Sequence, residues 1–167
     1  MRREDQRPDR DSDKLWEEFD AERTTVDTGE LAQLSTNRDE LIRLVGDALT
    51  EKFGERPAVD DDRDFVLHHM GQPVWIRVHA DFPAITIMAR VGHGVYSRRA
   101  TEVELGILNR TATFSRWSLA GRDVWQETAM VALPFVPLHL SVLIDRFLQT
   151  MTSTRDDLAY RTGAKVA

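Results

Sequence analysis

The chain has 167 residues, of which 41% are hydrophobic, and this suffices for one compact domain with a core but not for two. It contains no cysteine, which excludes disulfides, cysteine-ligated zinc and thiol catalysis. Residues 1–30 carry eleven acidic and six basic side chains, so most of the net charge of −6 lies there. The rest of the chain is nearly neutral and lacks the basic surface that nucleic-acid binding requires.

Residues 1–36 form an acidic leader that we expect to be largely disordered, because its first 13 residues have almost nothing apolar to bury. Within it, residues 14–23 read KLWEEFDAER and place Leu15, Trp16 and Phe19 on one side of a short helix. Either this helix docks on the protein's own body or it is a linear motif for a partner. The sequence shows neither a signal peptide nor a membrane-spanning run, so we expect a cytoplasmic protein that does not enter a membrane.

The first predicted helix spans about residues 38–53, between cap candidates at 35–37 and Gly54. Three strands follow in the region from Phe65 to Arg90, reading FVLHH, PVWIRVHA and PAITIMARV. Their connections are so short that the strands must pair antiparallel, as a meander. The pleat gives this sheet one apolar face and one mixed face, and the mixed face carries Trp75, Arg77 and Met88.

A second helix is predicted over residues 100–113, with Gly106 in its middle as a sign of close approach to another backbone. Residues 114–119 and 124–133 read as a hairpin that adds two strands, and a third helix follows over about 138–151. The predicted fold class is therefore α+β, with one antiparallel sheet and helices mainly on one face. We expect the domain to cover residues 37–152 and a polar helix or tail to cover 153–167.

Two segments support a family resemblance, LGILNRTATFSRWSL at 105–119 and VWQETAMVALPFVPLHLSVLIDRFL at 124–148. A helix ending in Leu-Asn runs into an aromatic-rich strand, a turn, a second strand and a proline-marked helix entry. Over about residues 37–151 the chain resembles the type III secretion chaperone-like fold family, in particular its bacterial sensory transduction regulator and actinobacterial chaperone-like branches. The resemblance implies a commonly dimeric domain that holds a segment of another protein and performs no chemistry. The acidic leader lies outside this pattern.

A search for catalytic or metal-binding patterns finds none. His68 and His69 are strand neighbours and point to opposite faces, and no other histidine pair has ligand spacing. The carboxylates at 60–62 lack the alternation and the glycine of a calcium loop. No serine lies in a nucleophile-elbow context, and Glu127 has no evident carboxylate partner. We therefore predict no enzyme activity, no cofactor and no metal.

The aromatic residues supply the candidate site instead. Trp75 and Met88 lie on adjacent strands of the mixed face, and Trp117 and Trp125 extend this face if the hairpin joins in register. Large rings and adaptable methionines are typical of peptide-binding surfaces and of dimer interfaces. The candidate partner-binding residues are Trp75, Arg77, Met88, Trp117 and Trp125. The first hypothesis is a homodimeric chaperone-like module for a protein or peptide client; the second is an adaptor that recognises its partner through the leader residues Leu15, Trp16 and Phe19.

Overall fold

A computed structural model describes residues 31–166 of the protein, and all of these except Leu31 belong to the compact unit formed by residues 32–167. The leader residues Leu15, Trp16 and Phe19 lie outside the described residues. The described part is built from three helices and seven strands. The helices are α1 (Arg38–Phe53), α2 (Arg98–Thr111) and α3 (Pro137–Thr162). The strands are β1 (Ala58–Val59), β2 (Phe65–His69), β3 (Gln72–Val78), β4 (Ala84–His93), β5 (Arg116–Ala120), β6 (Asp123–Val131) and β7 (Lys165–Val166).

The strands form one antiparallel sheet in the order β1-β2-β3-β4-β6-β5, and β7 pairs with the end of β4. This confirms the predicted α+β class, with a meander, a hairpin and three helices in the predicted sequence order. The two-residue strands β1 and β7 were not predicted, because two residues are too few to show a period-two pattern. The hairpin turn lies at Gly121, whose φ of 63° is the left-handed conformation that glycine adopts at no steric cost.

The third helix is longer than the predicted 138–151 and continues to Thr162. Its apolar pattern fades over residues 152–155, but hydroxyl groups there bond to the helix itself: Thr152 donates to the Leu148 carbonyl and Thr154 to the Thr150 carbonyl. Leu158 and Ala159 then return to the core. The helix ends at Gly163, with φ of 64°.

The core lies between the sheet and the helices. All three helices are on the same side of the sheet, since α1 and α2 both contact α3, and α3 contacts β4 and β6. The inward-facing residues of the central strands alternate with outward-facing ones and are fully buried. They include Val74, Ile76, Ile85, Ile87 and Ala89 from the sheet and Leu41, Leu49, Ile144, Phe147 and Met151 from the helices. Burying such side chains provides the main stabilisation of the fold.

The first helix begins with a reciprocal cap. The Asn37 side chain accepts a hydrogen bond from the Glu40 amide, and the Glu40 carboxylate accepts from the amide and the hydroxyl of Thr36. These two hydrogen bonds lower the pKa of Glu40 below its ordinary value. At the other end Gly54, with φ of 79°, closes the helix by donating to the Thr50 carbonyl.

Asn109 connects α2 to the edge strand β5. Its side-chain amide nitrogen donates to the Trp117 carbonyl and its oxygen accepts from the Trp117 amide, both at 2.9 Å. The asparagine thus takes the place of a neighbouring strand at Trp117 on the outer edge of β5. This gives a physical reason for the Leu-Asn ending of the helix in the family pattern.

We expect Asn109→Ala to destabilise the protein by about 1–3 kcal/mol, because it leaves both backbone groups of the buried Trp117 without their partners. Chemical denaturation followed by tryptophan fluorescence measures the change. Glu51→Ala is the control, since Glu51 is an exposed residue of α1. Glutamate and alanine both have high helix propensity, so this substitution should change the stability little. If the two variants unfold at the same denaturant concentration, the Asn109 link does not stabilise β5.

Candidate functional site

The candidate site is the face of the sheet that points away from the helices, here called the outer face. Among residues 31–166 no helix packs on it, since α1, α2 and α3 all lie on the core side. Its side chains are half-buried or exposed, in contrast to their fully buried neighbours along each strand. The members used below are Trp75, Arg77, Met88, Arg90, Trp125 and Glu127.

Strand register brings two tryptophans together on this face. Trp75 of β3 lies opposite Met88 of β4, while Trp125 of β6 lies opposite Arg90 of the same strand. The two rings therefore reach toward each other over β4, and their centroids are 5.9 Å apart at an interplanar angle of 42°. Each ring shields part of the other from solvent, but both side chains are only half-buried and keep part of their surface exposed. The result is an aromatic ridge across three strands, on a face that no helix within residues 31–166 covers.

The remaining charged residues of the outer face lie around this ridge. Arg90 makes a long contact of 3.5 Å to Asp123, and both side chains are well exposed. Glu127 is exposed and lies between Met88 and Arg116 in the register. Exposed pairs of this kind are worth little in water, so these groups are available to an incoming partner.

Arg77 has a different role from the one its position in the sequence suggests. Its guanidinium lies 2.6 Å from the carboxylate of Asp64, a side chain that is only 1% exposed. The hydrogen bond that Arg77 donates to this carboxylate raises the pKa of Arg77 above its ordinary value. The charge of Arg77 is thus paired with Asp64 within the chain, and this ion pair stabilises the outer face at the side of β3 that borders β2.

The acidic loop before β2 is part of the same arrangement. Asp60 accepts hydrogen bonds from the amides of Asp62 and Asp64, which closes a tight turn and holds Asp64 beneath Arg77. The carboxylates of this loop are therefore used as turn and ion-pair groups. In the described part of the chain no group of three or more His, Asp or Glu side chains is arranged to hold a metal ion.

The structure does not bring Trp117 to the outer face. Trp117 lies opposite Gln126, the neighbour of Trp125, so the pleat directs Trp117 and Trp125 to opposite sides of the sheet. Trp117 is only 4% exposed and packs into the core. Gln126, which sequence analysis did not single out, is fully buried beside it and donates to the Ser115 hydroxyl and to the Phe147 carbonyl.

An open cleft of about 490 Å³ lies beside β6, next to Arg116, the first residue of β5. The β5–β6 register runs from Ala120↔Asp123 to Arg116↔Glu127, so residues 128–131 have no partner strand on this side among the described residues. The Ala132 amide donates toward β4, to the Pro83 carbonyl, and alternation then directs the backbone groups of Ala129 and Val131 to the opposite side of β6, where Ala129 lines the cleft. This segment is an unpaired strand edge.

None of the three described helices combines the length and the apolar character that crossing a lipid bilayer requires.

We expect Arg77→Ala to destabilise the fold by about 1–3 kcal/mol, because the buried carboxylate of Asp64 loses its charged partner. Arg90→Ala removes the same kind of side chain from the same face but only an exposed contact, and should cost about 0.5 kcal/mol or less. Thermal unfolding of the two variants beside the parent protein measures both effects. Equal melting temperatures for the two variants would show that the Arg77–Asp64 pair is not structural.

Comparison with known proteins agrees with this architecture. The family model described as "T3SS (YopN, CesT) and YbjN peptide-binding chaperone 1" matches residues 39–167. No curated protein matches the chain. The solved ExsC–ExsE complex is similar with a TM-score of 0.60 and 14% identity, over 72% of this chain and 95% of that one. The HopA1–SchA chaperone–effector complex is similar with a TM-score of 0.56 and 8% identity, over 70% and 94%.

The two solved structures share so few identical residues with this chain that their similarity shows the fold alone. The family model matches most of the sequence and therefore shows the family. The predicted family resemblance is thereby confirmed. The chain belongs to the family of T3SS (YopN, CesT) and YbjN peptide-binding chaperones.

Proposed function

We propose that this protein is a non-enzymatic, cytoplasmic chaperone-like module that binds a peptide or a protein segment and acts as a homodimer. The observation that carries the proposal is the Trp75–Trp125 ridge on a sheet face that no described element covers. Membership in a peptide-binding chaperone family and similarity to a chaperone–effector complex support it.

The ridge has the chemistry of a client-anchoring surface. Tryptophan buries a large apolar area and keeps a polar N–H for hydrogen bonding, and the flexible side chain of Met88, opposite Trp75, can adapt to different client side chains. Removing such surface from water contributes about 25 cal/mol per Å². Arg90 and Glu127, beside the ridge, provide one positive and one negative charge. Charges of both signs favour one orientation of a bound client and do not select clients by net charge.

The open edge of β6 adds a second way to hold a client. An extended segment could pair with the free backbone groups of Ala129 and Val131 and continue the line of β5. Phe114 is 54% exposed at the same cleft and offers an apolar contact. Main-chain pairing of this kind is tolerant of client sequence, which suits a chaperone.

We expect Trp75→Ala and Trp125→Ala to reduce client capture strongly while costing only about 1–2 kcal/mol of stability, because both rings are half-buried. Capture is measured by pull-down from a lysate of the source organism, followed by quantitative mass spectrometry. Trp117→Ala is the contrasting variant, since it empties a core site and should cost about 3–5 kcal/mol. If both outer-face variants unfold, their rings belong to the core and the proposed site is wrong.

An alternative function is that of a regulatory adaptor that recognises its partner through Leu15, Trp16 and Phe19 while the body dimerises. The contrast between these apolar residues and their charged neighbours is the feature that favours it. Replacing all three by Ala in the full-length chain tests it with the same pull-down. Client capture that survives this change contradicts the adaptor, and capture that is lost while the outer-face variants still bind contradicts the client-binding ridge.

A further inference from the structure

Four exposed basic residues lie together at the end of the sheet where β4 stops and the β5–β6 hairpin turns. They are Arg98 and Arg99 at the start of α2, Arg122 in the hairpin turn, and Lys165 in β7. We call these four residues the basic end. They come from three separate parts of the chain, so the fold brings them together.

The loop after β4 connects the elements that carry the basic end. The Val95 amide donates to the Arg122 carbonyl, and the Arg122 guanidinium donates back to the Val95 carbonyl. The next residue, Tyr96, donates its amide to the Thr162 carbonyl at the end of α3. From there the chain continues into β7, which pairs with the end of β4, while the loop itself continues into α2. The four basic side chains therefore share one small region of the surface.

The positive charge of the basic end has no carboxylate partner within residues 31–166. Three of its members make no ion pair there. The fourth, Arg122, donates only to the carbonyls of Val95 and Tyr96, which are neutral. Glu102 lies four residues after Arg98, at the spacing of a helical ion pair, yet it forms no such contact. The charge is thus available to an anionic group from outside.

Helix stability does not explain the two arginines at the start of α2. The N-terminus of a helix carries partial positive charge, so a carboxylate in the first turn is favourable and a cation there is unfavourable. The first helix follows this rule with Asp39 and Glu40, whereas α2 begins with Arg98 and Arg99 and has no acidic residue in its first turn. An arrangement that lowers the stability of its own helix indicates a role in binding.

The basic end borders the Trp75–Trp125 ridge along the same strands. Trp125 and Arg122 are three residues apart along β6 and its turn, and Arg90 and His93 are three residues apart along β4. Three residues of extended strand cover about 10 Å. A client that is anchored on the ridge and runs along these strands therefore reaches the basic end with residues three or four positions from its anchor.

We propose that the client segment carries carboxylate groups three or four residues from its apolar anchor, and that the basic end binds these carboxylates. The inference rests on the client binding of the proposed function and names the kind of segment that is bound. Arginine suits this partner, because its planar guanidinium can donate two parallel hydrogen bonds to one carboxylate.

A nucleic acid fits the same surface less well. Binding to a phosphate backbone commonly uses about six to ten cationic contacts, and the basic end provides four. The exposed carboxylate of Glu127 also lies beside the ridge, where it would repel a phosphate backbone that continued along the strands.

The test selects peptides from a random library displayed on phage, with the full-length protein as bait. Each selected peptide is synthesised with a fluorescent label, beside a counterpart in which Asn and Gln replace every Asp and Glu. Fluorescence polarisation measures the dissociation constants of both. We expect the selected peptides to be enriched in Asp and Glu three or four positions from an aromatic residue. Their counterparts should bind about tenfold more weakly.

Charge reversal locates the site. The double variant Arg98→Glu, Arg99→Glu should lose the preference for the acidic peptides. It should be at least as stable as the parent in thermal unfolding, because carboxylates in the first turn favour the helix. The control is Arg43→Glu, Arg110→Glu, which changes the net charge equally at exposed positions of α1 and of the far end of α2. This control should keep the tenfold preference, and its loss there would overturn the inference.

The remaining outcomes separate this inference from the proposed function. If the counterparts bind as tightly as the selected peptides while Trp125→Ala weakens both, the ridge binds clients and the inference is wrong. If no peptide is enriched, or if Trp125→Ala binds the selected peptides as well as the parent does, the proposed client site is wrong and the inference with it. A single-stranded oligonucleotide that displaces the selected peptides as readily as unlabelled peptide does would assign the basic end to nucleic acid and overturn the inference.

Discussion

The period of two along each strand is the constraint on which the rest of this structure depends. In the central strands one set of alternating residues must fill the space under α1 and α3, and Ile76 opposite Ile87 does so without exposure. The other set is then placed on the outer face whatever its chemistry. Ordinary solubility would favour small polar residues there, yet β3 and β6 each place a tryptophan on it. Packing of the core therefore explains the residue types at the inward-facing positions of each strand. The residue types at the outward-facing positions need a different explanation.

The elements around the sheet lie so that none of the described ones covers this outer half. Arg77 holds the buried carboxylate of Asp64, which keeps the acidic loop folded against the edge of β2 and away from the ridge. At the opposite edge the Asn109 side chain bonds to the backbone of Trp117 and ties α2 to β5, while the buried residues Thr101 and Leu105 pack α2 on the core side. The β5 strand begins only at Arg116, opposite Glu127, and leaves residues 128–131 of β6 without a described partner strand on this side. These local interactions together define both the face and its open edge.

Much of this fold could be predicted from the sequence because its signals are local. The meander follows from three apolar runs and short turns, and the helices follow from caps and three-four spacing. The face of Trp117 depended on hairpin register. The turn at Gly121 pairs Ala120 with Asp123, which makes positions 117 and 126 partners and separates Trp117 from Trp125. Counting residue pairs outward from the turn at Gly121 would have predicted that Trp117 and Trp125 lie on opposite faces of the sheet. The Arg77–Asp64 pair gave no such signal, because it depends on how a loop folds under a strand 13 residues away.

The proposed homodimer has two Trp75–Trp125 ridges, one on each copy. A client long enough to reach both would bind the second ridge as an intramolecular event, with an effective concentration set by the length of the client between its two anchors. Contacts that are weak and tolerant of sequence at each ridge would then together retain long unfolded segments, while short peptides would dissociate readily. A dimer with two accessible ridges would in this way select clients by their length as well as by their anchors.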